Sequence, residues 1–298
     1  MQNSFTGSQA YFLLVEMKNI PAIYQGQMSS LEDIRVSPLS RAYTFSDSVY
    51  EVIPYLAGRS LCFQSHVERL ERSLLLSHIS VDINLIVAEL HQLGSELLDQ
   101  DGYVYFQISR GVDQIRAHLY AENLVAERFG YAFQTIFSAQ PIAAMLCEDN
   151  RWAHCNIKST SLLGNVLSMN QAQQHGCDEV VMHRGGFLTE AGASNVFYLN
   201  DQGVVRTSAL TENILPGITR EILLEALAAS EFRVEEGECD ITDFDASPAI
   251  WLTSSTKGLL PLTKIVGSNY SFQEKDQNYL GIKKIFTEAV EMHLAAVK

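Results

Sequence analysis

The sequence E-V-V-M-H-R-G-G-F-L-T-E, residues 179–190, decides the fold class of this chain. Two β-rich runs flank the Arg-Gly-Gly triplet at 184–186, and paired glycines between such runs are typical of a tight hairpin. A second hairpin is predicted directly afterwards, with strands at 195–200 and 204–207 around Asp-Gln-Gly. Consecutive hairpins form an antiparallel meander, whereas the strands of a doubly wound sheet are parallel and are joined by helices. We therefore expect an α+β protein.

Helices and further strands are predicted on both sides of these hairpins. Ser65 is followed by Glu68 at the spacing of a capping box, which predicts the start of a helix. Asp82 is the predicted cap of a second helix, whose apolar residues recur at helical spacing. Helices are predicted at 65–78, from 82 onward, and at 159–174, 218–230 and 281–297. Further strands are predicted at 11–17, 48–55, 103–109, 151–157 and 249–253. We place a domain boundary near 122–132, between a smaller domain (1–125) and a larger one (126–298).

The composition is that of a globular protein, with 47% hydrophobic and 19% charged residues among 298. Acidic residues outnumber basic ones by 35 to 21, which gives a net charge of −14. This excess disfavours a nucleic-acid or anionic-membrane partner, because both carry negative charge. Five cysteines include no Cys-x-x-Cys pair, so neither a disulfide framework nor a metal site is expected. With no secretory signal and no apolar run of about 18 residues, we expect a cytoplasmic protein.

Lys158 is the only lysine between Lys18 and Lys257. It follows the largely uncharged run W-A-H-C-N-I (152–157) and precedes a predicted helix. Burial at this point would favour the neutral amine, which is the form that Schiff-base chemistry requires. The plainer interpretation is a surface lysine at a helix start, although the helix dipole disfavours a cation there.

Two further segments predict a site for an anion. In L-P-G-I-T-R (215–220), Pro and Gly turn the chain into a helix whose first N–H groups, at Ile218 and Thr219, are free to bind phosphate. The hydroxyl run T-S-S-T (253–256) stands at the end of a predicted strand. Arg69 could supply the counter-charge. A capped helix start and a solvated turn are the simpler alternatives for the two segments.

Three more residues are candidates for contacts with charged or polar groups. Glu190 enters a tight loop of small residues, where a carboxylate could keep a ring nitrogen protonated and so make the ring an electron sink. A solvent-facing hairpin carboxylate is the alternative. Arg116 and His118 lie two residues apart and could bind a carboxylate, since an arginine fork suits that group.

Seven segments, in order, resemble the fold-type IV pyridoxal-phosphate enzymes, which are the class IV aminotransferases. The resemblance runs from about residue 31 to the end of the chain. The segments are R-A-Y-T-F-S-D-S-V-Y-E (41–51), H-V-E-R-L (66–70), N-I-K-S-T-S-L-L-G-N-V-L (156–167), G-C-D-E-V (176–180), L-T-E-A-G-A-S-N-V-F (188–197), I-L-P-G-I-T-R (214–220) and T-S-S-T (253–256). The resemblance implies a small N-terminal α/β domain, a larger C-terminal domain with a barrel-like sheet, a cofactor in the cleft between them, and a homodimer.

The resemblance also implies roles for individual residues. Lys158 would hold pyridoxal 5′-phosphate covalently and carry the proton between substrate and cofactor. Glu190 would pair with the pyridine nitrogen, and Leu215 would pack on the ring. The other cofactor-binding residues would be Arg69, Ser194, Asn195, Ile218, Thr219, Ser254 and Ser255. The substrate-binding residues would be Tyr50, Arg116 and His118. In the family, this arginine and this histidine reach across a dimer interface to the substrate carboxylate.

Local features favour a transaminase that exchanges the amino group between a D-amino acid, such as D-alanine, and a 2-oxo acid, such as 2-oxoglutarate. Leu163 stands five residues after Lys158, where branched-chain transaminases usually have tyrosine, and the segment 105–118 resembles that of D-amino-acid transaminases. Aminodeoxychorismate lyase and branched-chain transaminase are the alternative activities, and a non-catalytic scaffold is the alternative from another class. The chain departs from the family at residues 46–48, where Ser-Asp-Ser replaces the usual Gly-Asp-Gly, and it has one extra residue before Arg116.

Overall fold

Two β-sheets, each with helices packed on it, follow one another along the chain. The structure is a computed structural model that describes residues 19–137, 139–272 and 276–296. The strand predicted at 11–17 lies outside these residues. The last strand of the first sheet ends at residue 134, and the first strand of the second begins at residue 142. The domain boundary at 125/126 stays a prediction, and one strand of the first sheet lies on its C-terminal side.

The first sheet has six antiparallel strands in the order β2-β1-β6-β5-β3-β4. They are β1 (Pro21–Tyr24), β2 (Gln27–Ser30), β3 (Ser48–Leu56), β4 (Arg59–Ser60), β5 (Gly102–Ser109) and β6 (Glu127–Gln134). The helices of this part are α1 (Arg41–Phe45), α2 (Phe63–Leu76) and α3 (Ile83–Gly94). The strands predicted at 48–55 and 103–109 are confirmed as β3 and β5, which pair with each other.

Alternation along β5 separates the core face of this sheet from an aromatic face. Val104 and Phe106 are buried in a core that α2 and α3 also enter. Tyr103 and Tyr105 are half-buried on the opposite face, because successive side chains of a strand point to opposite sides. Tyr50 of β3 shares this face and stacks on Tyr105, with ring centroids 5.6 Å apart.

The two helix starts predicted in this region have different outcomes. Asp82 caps α3 through its side chain, which accepts a backbone N–H two residues later, so this prediction is confirmed. The capping box at Ser65 is wrong, because α2 already begins at Phe63. Glu68 pairs within the helix instead, where its carboxylate accepts from Gln64 Nε2 at 3.0 Å.

The second sheet has eight strands in the order β12-β11-β10-β13-β14-β7-β8-β9. They are β7 (Ile142–Glu148), β8 (Glu179–Arg184), β9 (Phe187–Ala191), β10 (Asn195–Leu199), β11 (Val205–Ser208), β12 (Val234–Gly237), β13 (Ile250–Ser254) and β14 (Gly258–Val266). The sheet curls around a buried apolar cluster drawn from β7, β8, β9, β10, β13 and β14. Phe187 bridges to Asp240, and the Ala191 N–H donates to Ser194 O at 2.8 Å. The predicted α+β class with a barrel-like sheet is confirmed.

Both predicted hairpins are confirmed. Gly185 and Gly186, between β8 and β9, have φ angles of 59° and 89°. Two successive positive φ angles match the twist of a two-residue hairpin and favour glycine, because it has no Cβ. β10 and β11 pair antiparallel as the second hairpin.

Three helices cover the second sheet: α4 (Leu163–Gln174), α5 (Ile218–Ala228) and α6 (Gln277–Ala296). α5 and α6 pack together on one side through a large apolar cluster, and α4 packs against β7 and β8. The predicted helices at 218–230 and 281–297 are confirmed in these positions, although α5 ends two residues early and α6 begins four residues early. The prediction at 159–174 is confirmed only from Leu163 onward.

The strand predicted at 151–157 is wrong. The strand of this region is β7, which ends at Glu148, and residues 149–162 form neither a helix nor a regular strand. Hydrogen bonds to β3 hold part of this segment extended: Ser159 bridges to Val49, and the Thr160 N–H donates to the carbonyl of Ser48. Local periodicity in the sequence cannot reveal these hydrogen bonds, because β3 lies far from this segment along the chain.

Candidate active site

A cavity of about 460 Å³ lies where β3 and α2 face the second sheet. Every residue predicted to bind the cofactor lines it: Arg69, Lys158, Glu190, Ser194, Asn195, Leu215, Ile218, Thr219, Ser254 and Ser255. Tyr50, one of the three predicted substrate-binding residues, lines it too. The structure therefore brings together segments that are nearly 190 residues apart in sequence, and their individual roles stay predictions.

Lys158 is fixed by its backbone and presents its amine to an aromatic ring. Its carbonyl accepts the Tyr50 N–H at 2.9 Å, and its N–H donates to Ser73 Oγ at 3.3 Å. Lys158 Nζ lies 4.3 Å from the centroid of the Tyr50 ring. The side chain is half-buried, so its amine reaches the cavity without being sealed from solvent.

Glu190 is a buried carboxylate with three hydrogen-bond donors. Arg151 Nη1 donates to Oε1 at 2.6 Å, and Oε2 accepts from Asn195 Nδ2 at 3.2 Å and from the Leu215 N–H at 3.0 Å. Burial raises the pKa of Glu190 to about 7, against the opposing charge of Arg151. A carboxylate has about four acceptor positions, so one position remains for a further donor.

Asp149 holds Arg151 in place. The two side chains form a two-pronged ion pair, in which Nε donates to Oδ1 and Nη2 to Oδ2, both at 2.9 Å. Burial alone would raise the pKa of Asp149, but the hydrogen bonds and charge of Arg151 outweigh it and lower that pKa. Paired forks of this kind fix geometry as well as charge, so Glu190 faces an arginine that cannot swing away.

Arg69 is held in the same manner on the other side of the cavity. Its Nε and Nη2 donate to the two oxygens of Glu51 at 2.7 and 2.8 Å, and its Nη1 donates to Pro216 O at 3.0 Å. His66 Nδ1 lies 2.8 Å from the same carboxylate. Burial would raise the pKa of Glu51, but Arg69 and His66 outweigh it and hold that pKa far below its ordinary value. Arg69 thus reaches the cavity as a fixed cation.

The start of α5 offers donors for an anion. The N–H groups of Ile218 and Thr219 precede the first hydrogen bond of the helix, which runs from the Glu221 N–H to Gly217 O. Glycine is required at 217 by close approach, because an added Cβ would lie 2.0 Å from Asn195 Oδ1. Helix N-termini of this kind favour phosphate.

Thr253 contributes a hydroxyl to the same end of the cavity. Its Oγ1 is buried and has no hydrogen-bond partner among the described residues. Ser254, Ser255 and Thr256 follow it along the cavity wall. An unpaired buried hydroxyl is costly, and a bound anion would satisfy it.

Arg116 and His118 lie outside this cavity. Both are exposed on the segment between β5 and β6, and the Arg116 guanidinium stacks 4.6 Å from the ring centroid of Phe45. Arg41 holds the segment by donating to the carbonyls of Ala117 at 2.8 Å and His118 at 3.4 Å. Within one chain, the structure does not bring these two predicted residues to Lys158.

Comparison with known proteins identifies the family. Residues 48–265 match the family model of amino-transferase class IV. The D-alanine aminotransferase of Listeria monocytogenes is 33% identical over 251 residues, which cover 79% of this chain and 84% of that relative. This chain belongs to the class IV aminotransferases. It is therefore a pyridoxal-phosphate-dependent aminotransferase, as the resemblance implied.

Two further comparisons agree with this aminotransferase assignment. The D-alanine aminotransferase of Staphylococcus epidermidis is 31% identical over 253 residues, which cover 82% of this chain and 88% of the relative. The branched-chain amino acid aminotransferase of Escherichia coli superimposes with a TM-score of 0.82 over 94% of this chain and 96% of that one, at 20% identity. The second comparison shows the fold alone.

The cavity of this aminotransferase fits pyridoxal phosphate. The unpaired Thr253 hydroxyl, the free N–H groups of α5 and the fixed Arg69 suit the phosphate. Glu190, with one acceptor position left, suits a protonated ring nitrogen, and the amine of Lys158 suits the aldehyde. Within residues 19–137, 139–272 and 276–296, no group of three or more His, Cys, Asp and Glu side chains could hold a metal ion. In the same part of the chain, no helix is long and apolar enough to span a membrane.

Several residues of the site escaped the sequence analysis. Arg151 and Asp149 hold Glu190 in place, and Glu51 holds Arg69. Thr253 belongs to the predicted hydroxyl run, but its unpaired Oγ1 was not singled out. Strand alternation offered one signal, since Glu51 falls on the apolar face of β3 and a buried carboxylate there requires a cationic partner. Arg151 and Asp149 gave none, because they lie beyond β7 in a segment without periodicity.

Proposed function

We propose that this aminotransferase transfers the amino group between a D-amino acid, such as D-alanine, and a 2-oxo acid, such as 2-oxoglutarate. The observation that carries the proposal is the similarity to D-alanine aminotransferases, at 31–33% identity over about four fifths of the chain. The cavity supports the same proposal, because an amine, an anion site and a buried carboxylate, the groups that transamination requires, all line it.

When bound, pyridoxal phosphate supplies an electron sink for the bonds at the substrate Cα. Lys158 acts as the base that removes the Cα proton and as the acid that returns it at the cofactor. Its backbone bonds to Tyr50 and Ser73 fix the origin of the side chain. Only the flexible part of the side chain needs to move between the two positions.

Glu190 holds a proton on the ring nitrogen. Burial raises the pKa of Glu190 to about 7 even beside Arg151, so its ionisation is unfavourable in the cavity without a bound ring. A cationic ring N–H would add a second positive charge and favour the ionised carboxylate. Arg151, Asn195 and Leu215 keep both carboxylate oxygens in place for this contact.

The phosphate would be held by Arg69, by the N–H groups of Ile218 and Thr219, and by the hydroxyls at the C-terminal end of β13. Arg69 supplies a full charge, while the helix start supplies directed donors. Ser254 and Ser255 are the predicted hydroxyl contacts, and Thr253 joins them because its Oγ1 has no other partner among the described residues.

A homodimer completes the site in this proposal. Arg116 and His118 face solvent, away from the cavity of their own chain, so a second copy is needed to bring them to the substrate carboxylate. Exposed apolar side chains on α4, a helix that also contributes to the cavity lining, support such a contact: Leu163 is 70% exposed and Leu167 62%. A monomer rarely leaves such side chains clustered in water.

We place the enzyme in the cytoplasm. All five cysteines are free thiols in the structure, and three of them are buried. Unpaired thiols are typical of proteins in a reducing compartment.

A half-reaction measurement tests the proposed function. The holoenzyme is mixed with D-alanine, D-glutamate, L-alanine, L-glutamate or L-leucine, and the cofactor absorbance is followed without a 2-oxo acid. We expect D-alanine and D-glutamate to convert the cofactor at least about a hundredfold faster than their L-counterparts, a discrimination within reach of a shaped site. Conversion by L-leucine alone would contradict the proposal. Release of pyruvate and 4-aminobenzoate from aminodeoxychorismate, without D-alanine turnover, would contradict it as well.

A further inference from the structure

The segment that carries Lys158 depends on β3 for its position. Residues 149–162 have no regular secondary structure of their own. Two backbone bonds tie them to β3: the Tyr50 N–H donates to Lys158 O at 2.9 Å, and the Thr160 N–H donates to Ser48 O at 3.0 Å. A small change in these contacts between β3 and residues 149–162 would therefore move Lys158.

A series of side-chain hydrogen bonds also links β5 and β3 to the lysine segment. Tyr105 OH donates to Gln107 Oε1 at 2.7 Å, and Gln107 Nε2 donates to Ser48 Oγ at 3.3 Å. Ser48 Oγ lies 2.5 Å from Thr160 Oγ1. Thr160 Oγ1 in turn lies 3.1 Å from the carbonyl oxygen of Ser46.

One direction of these bonds satisfies every group. A carbonyl oxygen can only accept, and Thr160 Oγ1 reaches two of them, Ser46 O at 3.1 Å and Ser48 O at 3.5 Å, so its proton goes to a carbonyl. Ser48 then donates to Thr160, and the Ser48 oxygen accepts from Gln107. Each hydroxyl donates once and accepts once. Loss of either hydroxyl would leave its neighbour without a partner, which costs more than the bond itself.

Both ends of the chain of bonds meet the surroundings of Lys158. At one end, Tyr105 stacks on Tyr50, whose ring centroid lies 4.3 Å from Lys158 Nζ. At the other end, Thr160 belongs to the lysine segment and is two residues from Lys158. The aromatic side of the amine and the backbone of the lysine segment are thus coupled through three hydrogen bonds, from Tyr105 to Thr160.

We propose that Ser48 and Thr160 are positioning residues that set the distance and orientation of the Lys158 amine in the cavity. This inference rests on the proposed role of Lys158 as the residue that holds the cofactor. It also gives a purpose to the serine at 48, where the family usually has glycine: this side chain supplies the hydroxyl that meets Thr160.

The test removes one hydroxyl while keeping the shape of the side chain. In Thr160→Val we expect kcat for the amino donor to fall about tenfold, the effect of one lost hydrogen bond expressed as a rate. The dissociation constant of pyridoxal phosphate should stay within about twofold, because the phosphate and ring contacts are untouched. The midpoint of the pH titration of cofactor absorbance should shift by about half a pH unit or more, since the environment of the amine changes. Thr160→Ser should restore all three values to within about twofold, because it keeps the hydroxyl.

Thr207→Val is the matched control. Thr207 Oγ1 is buried and donates to Val196 O at 2.8 Å, so this variant also loses one hydroxyl–carbonyl bond, but at a residue that does not line the cavity. We expect it to lower thermal stability without shifting the absorbance titration. Equal titration midpoints in the wild type, Thr160→Val and Thr207→Val would overturn the inference.

A second test uses Ser48→Ala and the double variant Ser48→Ala/Thr160→Val. Ser48→Ala removes the other hydroxyl of the same bond, so it can still test the inference if Thr160→Val folds poorly. The two changes share the Ser48–Thr160 bond, so we expect the loss of kcat in the double variant to be smaller than the product of the two single losses. Multiplying losses would overturn the inference. The absorbance titration needs no amino acid, so it tests the inference whatever the substrate. Failure of the wild type to bind pyridoxal phosphate would refute the proposed function instead.

Discussion

The cofactor side of this aminotransferase and its predicted carboxylate clamp are built in opposite ways. Around the cavity, Glu190 and Arg69 are buried, and fixed partners hold each of them through at least three hydrogen bonds. On the segment between β5 and β6, Arg116 and His118 are exposed: both lie against the Phe45 ring, and Arg41 anchors the backbone beside them. One region is organised within a single chain, while the other is presented outward.

This difference separates two kinds of binding. A rigid, buried set of charges suits a cofactor that stays bound, because no ordering cost remains when it enters. An exposed arginine on an anchored loop suits contact with a second copy, where it can meet a substrate that enters and leaves. Changes in the first region should affect cofactor binding, stability or the chemical step, whereas changes in the second should affect substrate use alone.

The largest effect is expected for Lys158→Ala, which removes the amine from the organised region. Transamination should fall at least about a thousandfold, because general acid–base catalysis and the covalent attachment are lost together. Lys264→Ala changes an exposed lysine of β14 and should keep full activity. The measurement is the coupled transamination rate of both variants, with folding checked by circular dichroism. Comparable rates in both variants would assign the chemistry to another residue.

Glu190→Gln should change how stability depends on pH. Because burial raises the pKa of Glu190 from 4.5 to about 7, the folded apoprotein binds this proton more tightly than the unfolded chain between these values. Stability from this group is therefore present below pH 4.5 and is lost as pH rises to 7, by about 3 kcal/mol. The variant lacks this loss, which urea denaturation of both apoproteins at pH 4.5 and 8 would reveal. Glu288→Gln, an exposed change on α6, serves as the control, and parallel curves for all three proteins would contradict the assignment.

Arg116→Ala acts on the outward-facing region. We expect kcat/KM for the D-amino acid to fall about a hundredfold, the range for losing a charged hydrogen-bond donor to a carboxylate. The affinity for pyridoxal phosphate should not change, because Arg116 does not line the cavity of its own chain. Steady-state kinetics and a cofactor titration measure the two quantities. A loss of cofactor affinity as large as the kinetic loss would remove the distinction between the regions.

The smallest effect is expected for Gly217→Ala, which disturbs the organised region without removing a charge. The new Cβ would crowd Asn195 Oδ1 and displace the start of α5, so the affinity for pyridoxal phosphate should fall about tenfold. Gly237→Ala is the control, because its added Cβ meets nothing closer than 3.9 Å. Equal cofactor affinity in both variants would show that the start of α5 does not bind the phosphate.

The sequence predicted those parts of the molecule that rest on local signals. The Gly185-Gly186 turn, the Asp82 cap and the proline–glycine entry to α5 each depend on the chemistry of adjacent residues, and each appears where it was predicted. The ten residues to which the family resemblance gave cofactor contacts line one cavity, and their roles stay predictions.

What local signals missed depends on partners far along the chain. β7 and β14 pair in parallel across more than a hundred residues, so neither was predicted. Local signals predict a strand and a helix start for the lysine segment, whereas its shape comes from β3, through Tyr50 and Ser48. Arg151 was not predicted for the same reason, because its contact with Glu190 forms only in the folded chain.

Subunit complementation tests the central claim most directly: one chain holds the cofactor, and a second copy completes the substrate site. Lys158→Ala and Arg116→Ala proteins are each assayed alone, then unfolded together in equal amounts, refolded with pyridoxal phosphate, and assayed with D-alanine. If Arg116 serves the partner's cavity, mixed dimers contain one intact site in two, and activity should recover to about a quarter of wild type after random pairing. Activity that stays at the average of the two separate variants would contradict the claim.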